Sequence, residues 1–326
     1  MRNKWVEPDV RDEIVDFVTK WTNRFDCLSI KLIVSRLGLS PSRFSEWRRR
    51  YAQPNYHNSD VPRSHWITEE EKERVIDFYL EHYEDGYRRC AYMMIDADVA
   101  YCSPSTVYRI LSKAGVIGTR WNSKGSSKGK GFNQPLRPHE HWHIDISYIN
   151  VSSTFYYLIS ILDGYSRYIV HYDLRESMTE KDVQLIVQKA KELYPEANPR
   201  IISDNGKQFI AKDFKELIRF HGMTHVTTSP YYPQSNGKIE RWHKTIKSES
   251  IRPGAPISFE DAKRLIAKYV LYYNNTRLHS AIGYVTPKDK LEGRENLIHQ
   301  MRDKKLENAR RKRLEFNRNR QVIQKS

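Results

Sequence analysis

The stretch Arg200-Ile201-Ile202-Ser203-Asp204-Asn205-Gly206 decides the fold. Its β-branched run stops at Asp-Asn-Gly, so it reads as a short buried strand that ends on an acid. In open α/β sheets ligands bind at the carboxyl ends of strands, which puts Asp204 where chemistry takes place. Thirty-five residues separate it from Glu240, and the intervening Ser229-Pro230-Tyr231-Tyr232-Pro233-Gln234-Ser235-Asn236-Gly237 opens onto a helical pattern. On that helix Asn236, Glu240, Lys244 and Lys247 recur at three and four residues and so share one face. Upstream, His141-Trp142-His143-Ile144-Asp145-Ile146-Ser147-Tyr148 alternates apolar even positions with polar odd ones, a strand with Asp145 on its polar face.

An acid on a buried strand is costly unless it binds something. Carboxylates brought together can hold hard cations, and two Mg²⁺ ions roughly 3.5 to 4 Å apart serve phosphoryl transfer by activating one oxygen and stabilising another. Asp145, Asp204 and Glu240 are therefore the candidate catalytic and metal-holding residues. Asp163, in Asp163-Gly164-Tyr165-Ser166, reads as a turn former, and Glu249 reads as a solvent-facing residue further along the Glu240 helix. His143 and His243 stand near the acids as possible supports.

The sequence around these three acids resembles the Asp-Asp-Glu core shared by retroviral integrases and bacterial transposases. Tyr273-Asn274-Asn275-Thr276-Arg277-Leu278-His279 through Pro287 resembles the segment that follows this core in transposases of the family-three insertion sequences. Retroviral integrases carry a His-His-Cys-Cys zinc module, and no Cys-x-x-Cys occurs here, so the likeness is to the bacterial enzymes and no structural zinc is expected. The resemblance implies an α/β, ribonuclease-H-like mixed five-stranded sheet with flanking helices. It implies hydrolysis at the 3′ ends of the element, then attack of the freed 3′-OH on target DNA, with two Mg²⁺ ions that Mn²⁺ can replace. It also implies terminal inverted repeats as partners, a copy-out route through a circle, and a smaller upstream-frame product. Pairing two ends calls for at least a dimer on DNA.

In the chain of 326 residues, 55 Lys and Arg stand against 40 Asp and Glu, a net charge of +15, which implies an anionic partner, nucleic acid first. The absence of a long apolar run, signal peptide or lipidation motif argues against a membrane and for a cytoplasmic, nucleoid-associated protein. Three dispersed cysteines do not make a disulfide framework and read as small buried hydrophobes.

The spacing predicts all-α helix-turn-helix units at 1–62 and 63–117. In the first, Gly38 breaks a helix and Ser40-Pro41 starts another that ends in Arg48-Arg49-Arg50; sixty-three positions later Ser103-Pro104 repeats this start. Thr68-Glu69-Glu70-Glu71 is a capping box. Residues 118–139, with glycines, serines and lysines but no periodicity, read as a basic flexible linker. Residues 140–256 form the catalytic core, in the order strand, strand, strand, helix, strand, helix, strand, helix. A helical extension follows over 257–301. The tail, 302–326, holds ten Lys or Arg and three Asp or Glu and is expected to order as a basic helix on DNA or on a partner subunit. Candidate DNA contacts are Arg43, Arg48, Arg49, Arg50, Arg109, Lys113, Lys128, Lys130, Tyr231, Gln234, Asn236, Lys244, Lys247 and Arg277. Two rival functions remain: a transposase-derived DNA-binding regulator with a disused core, and a ribonuclease-H-type nuclease. A tyrosine recombinase is excluded, since the only His-x-x-Arg is His299 to Arg302 and no tyrosine follows Tyr284.

Overall fold

The computed structural model describes residues 6–25, 28–53, 66–117, 134–227 and 236–323. The chain divides into two compact units, Met1–Trp66 with Arg313–Ser326, and Ile67–Lys312. Most of the predicted linker, with Lys128 and Lys130, lies outside the described residues, as do Tyr231 and Gln234.

The first unit holds α1 (Pro8–Arg24), α2 (Ile30–Arg36) and α3 (Pro41–Arg49) around Val15, Val18, Val34, Leu39, Phe44 and Trp47. Gly38, at φ 71°, makes the left-handed turn between α2 and α3. Ser40 caps α3 by accepting the Arg43 N–H at 3.2 Å. Arg11, at 1% exposure, is sealed in by Asp12 and by the Gln53 carbonyl, 2.7 Å from its guanidinium.

The second unit begins with α4 (Glu69–Glu81), α5 (Gly86–Asp96) and α6 (Pro104–Lys113). The capping box forms at Thr68 and Glu71, and Ser103 caps α6. Cys90 and Cys102 are buried in this small core, beside Val75, Met94, Val107 and Leu111. Cys27 lies outside the described residues.

A five-stranded sheet comes next, in the order β3-β2-β1-β4-β5. Its strands are β1 (His141–Val151), β2 (Thr154–Asp163), β3 (Ile169–Arg175), β4 (Arg200–Ser203) and β5 (Thr224–Thr227). β1 to β3 are an antiparallel meander, whereas β1, β4 and β5 run parallel. Helices supply the parallel connections: α7 (Glu180–Leu193) before β4, then α8 (Lys207–Ile210) and α9 (Lys212–Phe220) before β5. α10 (Gly237–Ile246) continues through a π-helical turn, Lys247–Ile251, into α11 (Arg252–Gly254). Then come α12 (Phe259–Asn275), α13 (Pro287–Leu291) and α14 (Glu295–Ile323). The mixed five-stranded sheet with flanking helices is the one expected.

Helices cover both faces of this sheet. Trp142, Ile144, Ile159, Ile161 and Ile201 pack with Val183, Ile186 and Val187 of α7 and Phe214 and Ile218 of α9. On the other side Ile149, Leu158 and Leu174 pack with Ile239, Trp242 and Ile246 of α10 and Ala262, Ile266 and Tyr273 of α12. The odd positions of β1, read as its polar face, therefore look onto a helix layer rather than onto water.

The C-terminal segment differs from its expectation. The helix starts at Glu295, ahead of the charged tail, and Arg302 is 4% exposed, paired through two hydrogen bonds with Asp96 at 2.8 and 2.6 Å. Ala309, Arg313 and Asn317 are buried as well. Contacts with the chain itself stabilise a helix that would be marginal alone. Among the described residues no helix is long and apolar enough to cross a membrane.

Trp242 is 1% exposed and donates its indole N–H to Ser160 Oγ at 3.0 Å, tying α10 to β2. Trp242→Ala should lower the unfolding free energy by about 3–5 kcal/mol, read as a fall in the urea midpoint, whereas Trp242→Phe should lose less.

Candidate active site

Parallel pairing sets the positions of the first two acids. His141 lies opposite Arg200, Trp142 opposite Ile201 and His143 opposite Ile202. Two residues beyond the last pair come Asp145, still within β1, and Asp204, just past β4, so both follow the carboxyl side of the paired segment on neighbouring strands. Asp204 is exposed, and its Oδ1 accepts the Gly206 N–H at 2.9 Å. A Cβ at Gly206 would stand 3.0 Å from that oxygen, so glycine permits the close approach. Ser203 Oγ donates to the Asp204 carbonyl at 2.8 Å and lies 2.9 Å from His225 Nε2, which braces the strand end.

Asp145 retains 19% exposure; its Oδ1 accepts the Ile146 N–H at 2.9 Å, and its Oδ2 lies 3.3 Å from His243 Nδ1. That contact presses α10 against β1. Glu240, one turn before His243 on the same helix, is exposed, because Ile239, Trp242 and Ile246 occupy the buried side. Among the described residues no three His, Cys, Asp or Glu side chains converge closely enough to hold a metal ion. The structure thus brings Asp145 and His243 into contact, sets Asp204 on the adjoining strand end, and carries Glu240 on the helix that packs there. All three acids offer the hard oxygen atoms that divalent cations such as Mg²⁺ take.

Three lysines lie on or just beyond the helix that carries Glu240. Lys244 is exposed. Lys247 is half-buried: burial and Arg252 push its ammonium below the usual lysine range, while Asp145 pulls it back. Lys238, unremarked in the sequence, donates to the Gly164 carbonyl at 2.9 Å; burial, with Arg167 alongside, brings its pKa down to about 7. Burial also keeps His143 neutral, its pKa down to about 3. Asp163 is the turn former expected: its Oδ1 accepts from His139 N at 2.8 Å, and its Oδ2 accepts from the backbone and hydroxyl of Ser166 at 2.7 and 2.6 Å.

Two candidate DNA contacts are corrected, and one exposed acid proves to be paired. Arg277 is 8% exposed, and its guanidinium donates to both oxygens of Glu249 at 2.7 and 2.5 Å, so it is a buried ion-pair partner instead of a surface cation. Glu249 does not simply face solvent, since it also accepts from the Tyr269 hydroxyl at 2.7 Å. Asn236 is 4% exposed at the start of α10 and does not share the open face of Glu240 and Lys244. Sequence spacing placed these residues on a helix, but only the packing of α12 and the segment after it shows which sides are covered.

The candidate cations of the helical regions reach the surface. Arg48, Arg49 and Arg50 are exposed at the end of α3, Arg50 with Glu46 at 3.6 Å. The Arg43 guanidinium lies over the Trp47 ring, 5.3 Å from its centroid. Arg109 and Lys113 are exposed on α6.

Residues 135–233 and 221–287 match integrase core domain families. The chain is 28% identical over 176 residues to the transposase for insertion sequence IS904 of Lactococcus lactis, covering 52% of this chain and 70% of that protein. It is 24% identical over 229 residues to a putative transposase for IS150 of Escherichia coli, covering 66% and 81%. The catalytic core of HTLV-2 integrase, solved in complex with magnesium, aligns with a TM-score of 0.39 and 19% identity over 48% of this chain and 97% of that one.

Removing one partner of a buried ion pair strands the other, and Glu249 keeps 35% exposure, which softens the loss. Arg277→Met should cost about 2–3 kcal/mol in thermal or urea unfolding while leaving the salt dependence of DNA binding unchanged. A surface phosphate contact would behave in the opposite way.

Proposed function

We propose, from the premise that this chain is an insertion-sequence transposase with an integrase-like DDE core, that it binds the terminal inverted repeats of its element, cleaves their 3′ ends and joins them to target DNA. The observation that carries this reading is the matched position of Asp145 and Asp204, each two residues past the last β1–β4 pair, with the Glu240 helix tied to β1 by the His243–Asp145 contact. Asp145, Asp204 and Glu240 would hold Mg²⁺ or Mn²⁺. Bound there, such ions activate the attacking oxygen and stabilise the leaving one.

The chain's own residues do the rest. His243 fixes the Asp145 carboxylate from the side away from Ile146 N–H, as an outer partner orients a ligand. Lys244 and Lys247, on the helix after Glu240, contact phosphates near the scissile bond, and the half-buried Lys247 ammonium regains by that contact what burial costs it. Arg48, Arg49 and Arg50 on α3, with Arg109 and Lys113 on α6, contact the repeats from two helices of the kind that enters the major groove. Two ends are joined in one event, so at least two copies act on DNA.

Asp145→Asn, Asp204→Asn and Glu240→Gln should each abolish end cleavage and strand transfer in Mg²⁺, with end-DNA affinity kept within about twofold, since phosphate contacts dominate binding. A variant that still joins ends at the wild-type rate would rule out this site. Replacing Arg48 and Arg49 together with alanine should reduce the preference for repeat DNA over random DNA by about tenfold or more, measured by competition binding.

A further inference from the structure

Arg89, Tyr92 and Asp96 recur at three and four residues along α5 and so line one face of it. All three meet the part of the chain beyond the Glu240 helix. Arg89 Nη2 lies 4.0 Å from Glu249 Oε1. Tyr92 stacks on Tyr284, ring centroids 4.6 Å apart at 19°. Asp96 takes both donors of Arg302, whose guanidinium also lies over Tyr92, 5.0 Å from the ring centroid. Lys305 closes the end of α5 with bonds to the Ile95 carbonyl at 2.9 Å and to Asp98 at 2.6 Å. The opposite face, Cys90, Ala91, Met94 and Ile95, is buried, most of it in the core that holds α6. α5 is thus a wall shared by the module that carries α6 and the catalytic core.

Two paths lead from this wall to Glu240. Glu249 sits on the π-helical turn that prolongs α10, the kind of irregularity found often at functional sites. Its partner Arg277 lies over the Tyr273 ring, 5.6 Å from the centroid, and Tyr273 meets Trp242 at 4.6 Å, two residues from Glu240. A contact meant for packing alone would be served better by apolar side chains, because charged pairs recover little net energy once desolvated. With Arg89 at 16% and Glu249 at 35% exposure, and 4.0 Å between them, their pair contributes about 1 kcal/mol or less. What such a pair supplies is register.

We propose that Arg89 and Glu249 are positioning residues: through them, engagement of DNA by the α6 module aligns the helix that carries Glu240, so that cleavage at the ends depends on end recognition. This rests on the transposase reading above. A slight misplacement of a catalytic group far from the mutation can cost a hundredfold in rate.

The test uses the full chain and three readouts: affinity for repeat DNA, end-cleavage rate at saturating DNA, and sequence-independent nicking of supercoiled plasmid in Mn²⁺. Arg89→Gln, which keeps a donor for Asp85, should bind repeat DNA and nick plasmid as the wild type does, hold its melting temperature, and cleave ends about ten- to a hundredfold more slowly. An Arg89→Gln variant that cleaves ends at the wild-type saturating rate, or whose loss is matched by lowered melting temperature and plasmid nicking, overturns the coupling alone. Wild-type protein that neither cleaves ends nor nicks plasmid overturns the transposase reading and this inference with it.

Discussion

The parallel pairing of β1 with β4 is the constraint on which the rest of this molecule depends. Parallel neighbours need a long crossover, and β2, β3 and α7 supply it, so two acids almost sixty residues apart in sequence take matching positions on adjacent strands, each two residues past the last pair. α7 of this crossover, with α9 of the next connection, covers one face of the sheet. The other face then needs its own cover, and α10 and α12 provide it through Trp242, Ile266 and Tyr273.

Burial on both faces changes what the polar positions of β1 require. Asp145 cannot shed its charge cost into bulk water alone, and His243 on α10 offers a partner at 3.3 Å. Ser160 on the neighbouring strand is met in the same way by the Trp242 indole. These two contacts, one polar partner for each strand, set the height and rotation of α10, and with them the outward direction of Glu240.

Beyond α10 the polar groups of the Asn274 to Arg277 segment go mostly to structure. The Asn274 amide both donates to the Ile169 carbonyl and accepts its N–H, at 3.1 and 2.9 Å, completing hydrogen bonds at the start of β3. Arg277 serves Glu249. A segment whose resemblance to known transposases suggests contact with DNA is here a brace that fastens the end of α12 to the sheet and to the π-turn.

The sequence by itself determined the elements and the acids. Period-two and period-3.6 patterns, the Ser40, Thr68 and Ser103 caps, and the Asp-Asn-Gly stop after Ile202 are local signals, readable because a hydrogen bond or a rotamer preference acts within a few residues. Tertiary structure alone decided the partners. Arg277, Asn236, Arg302 and the α5 face carry side chains that read equally well as solvent-facing, and only the packing of distant segments covers them. A charge shows its role through the groups it meets, and those meetings, at separations from 28 residues for Arg277 and Glu249 to 206 for Arg302 and Asp96, leave no periodic trace in the chain.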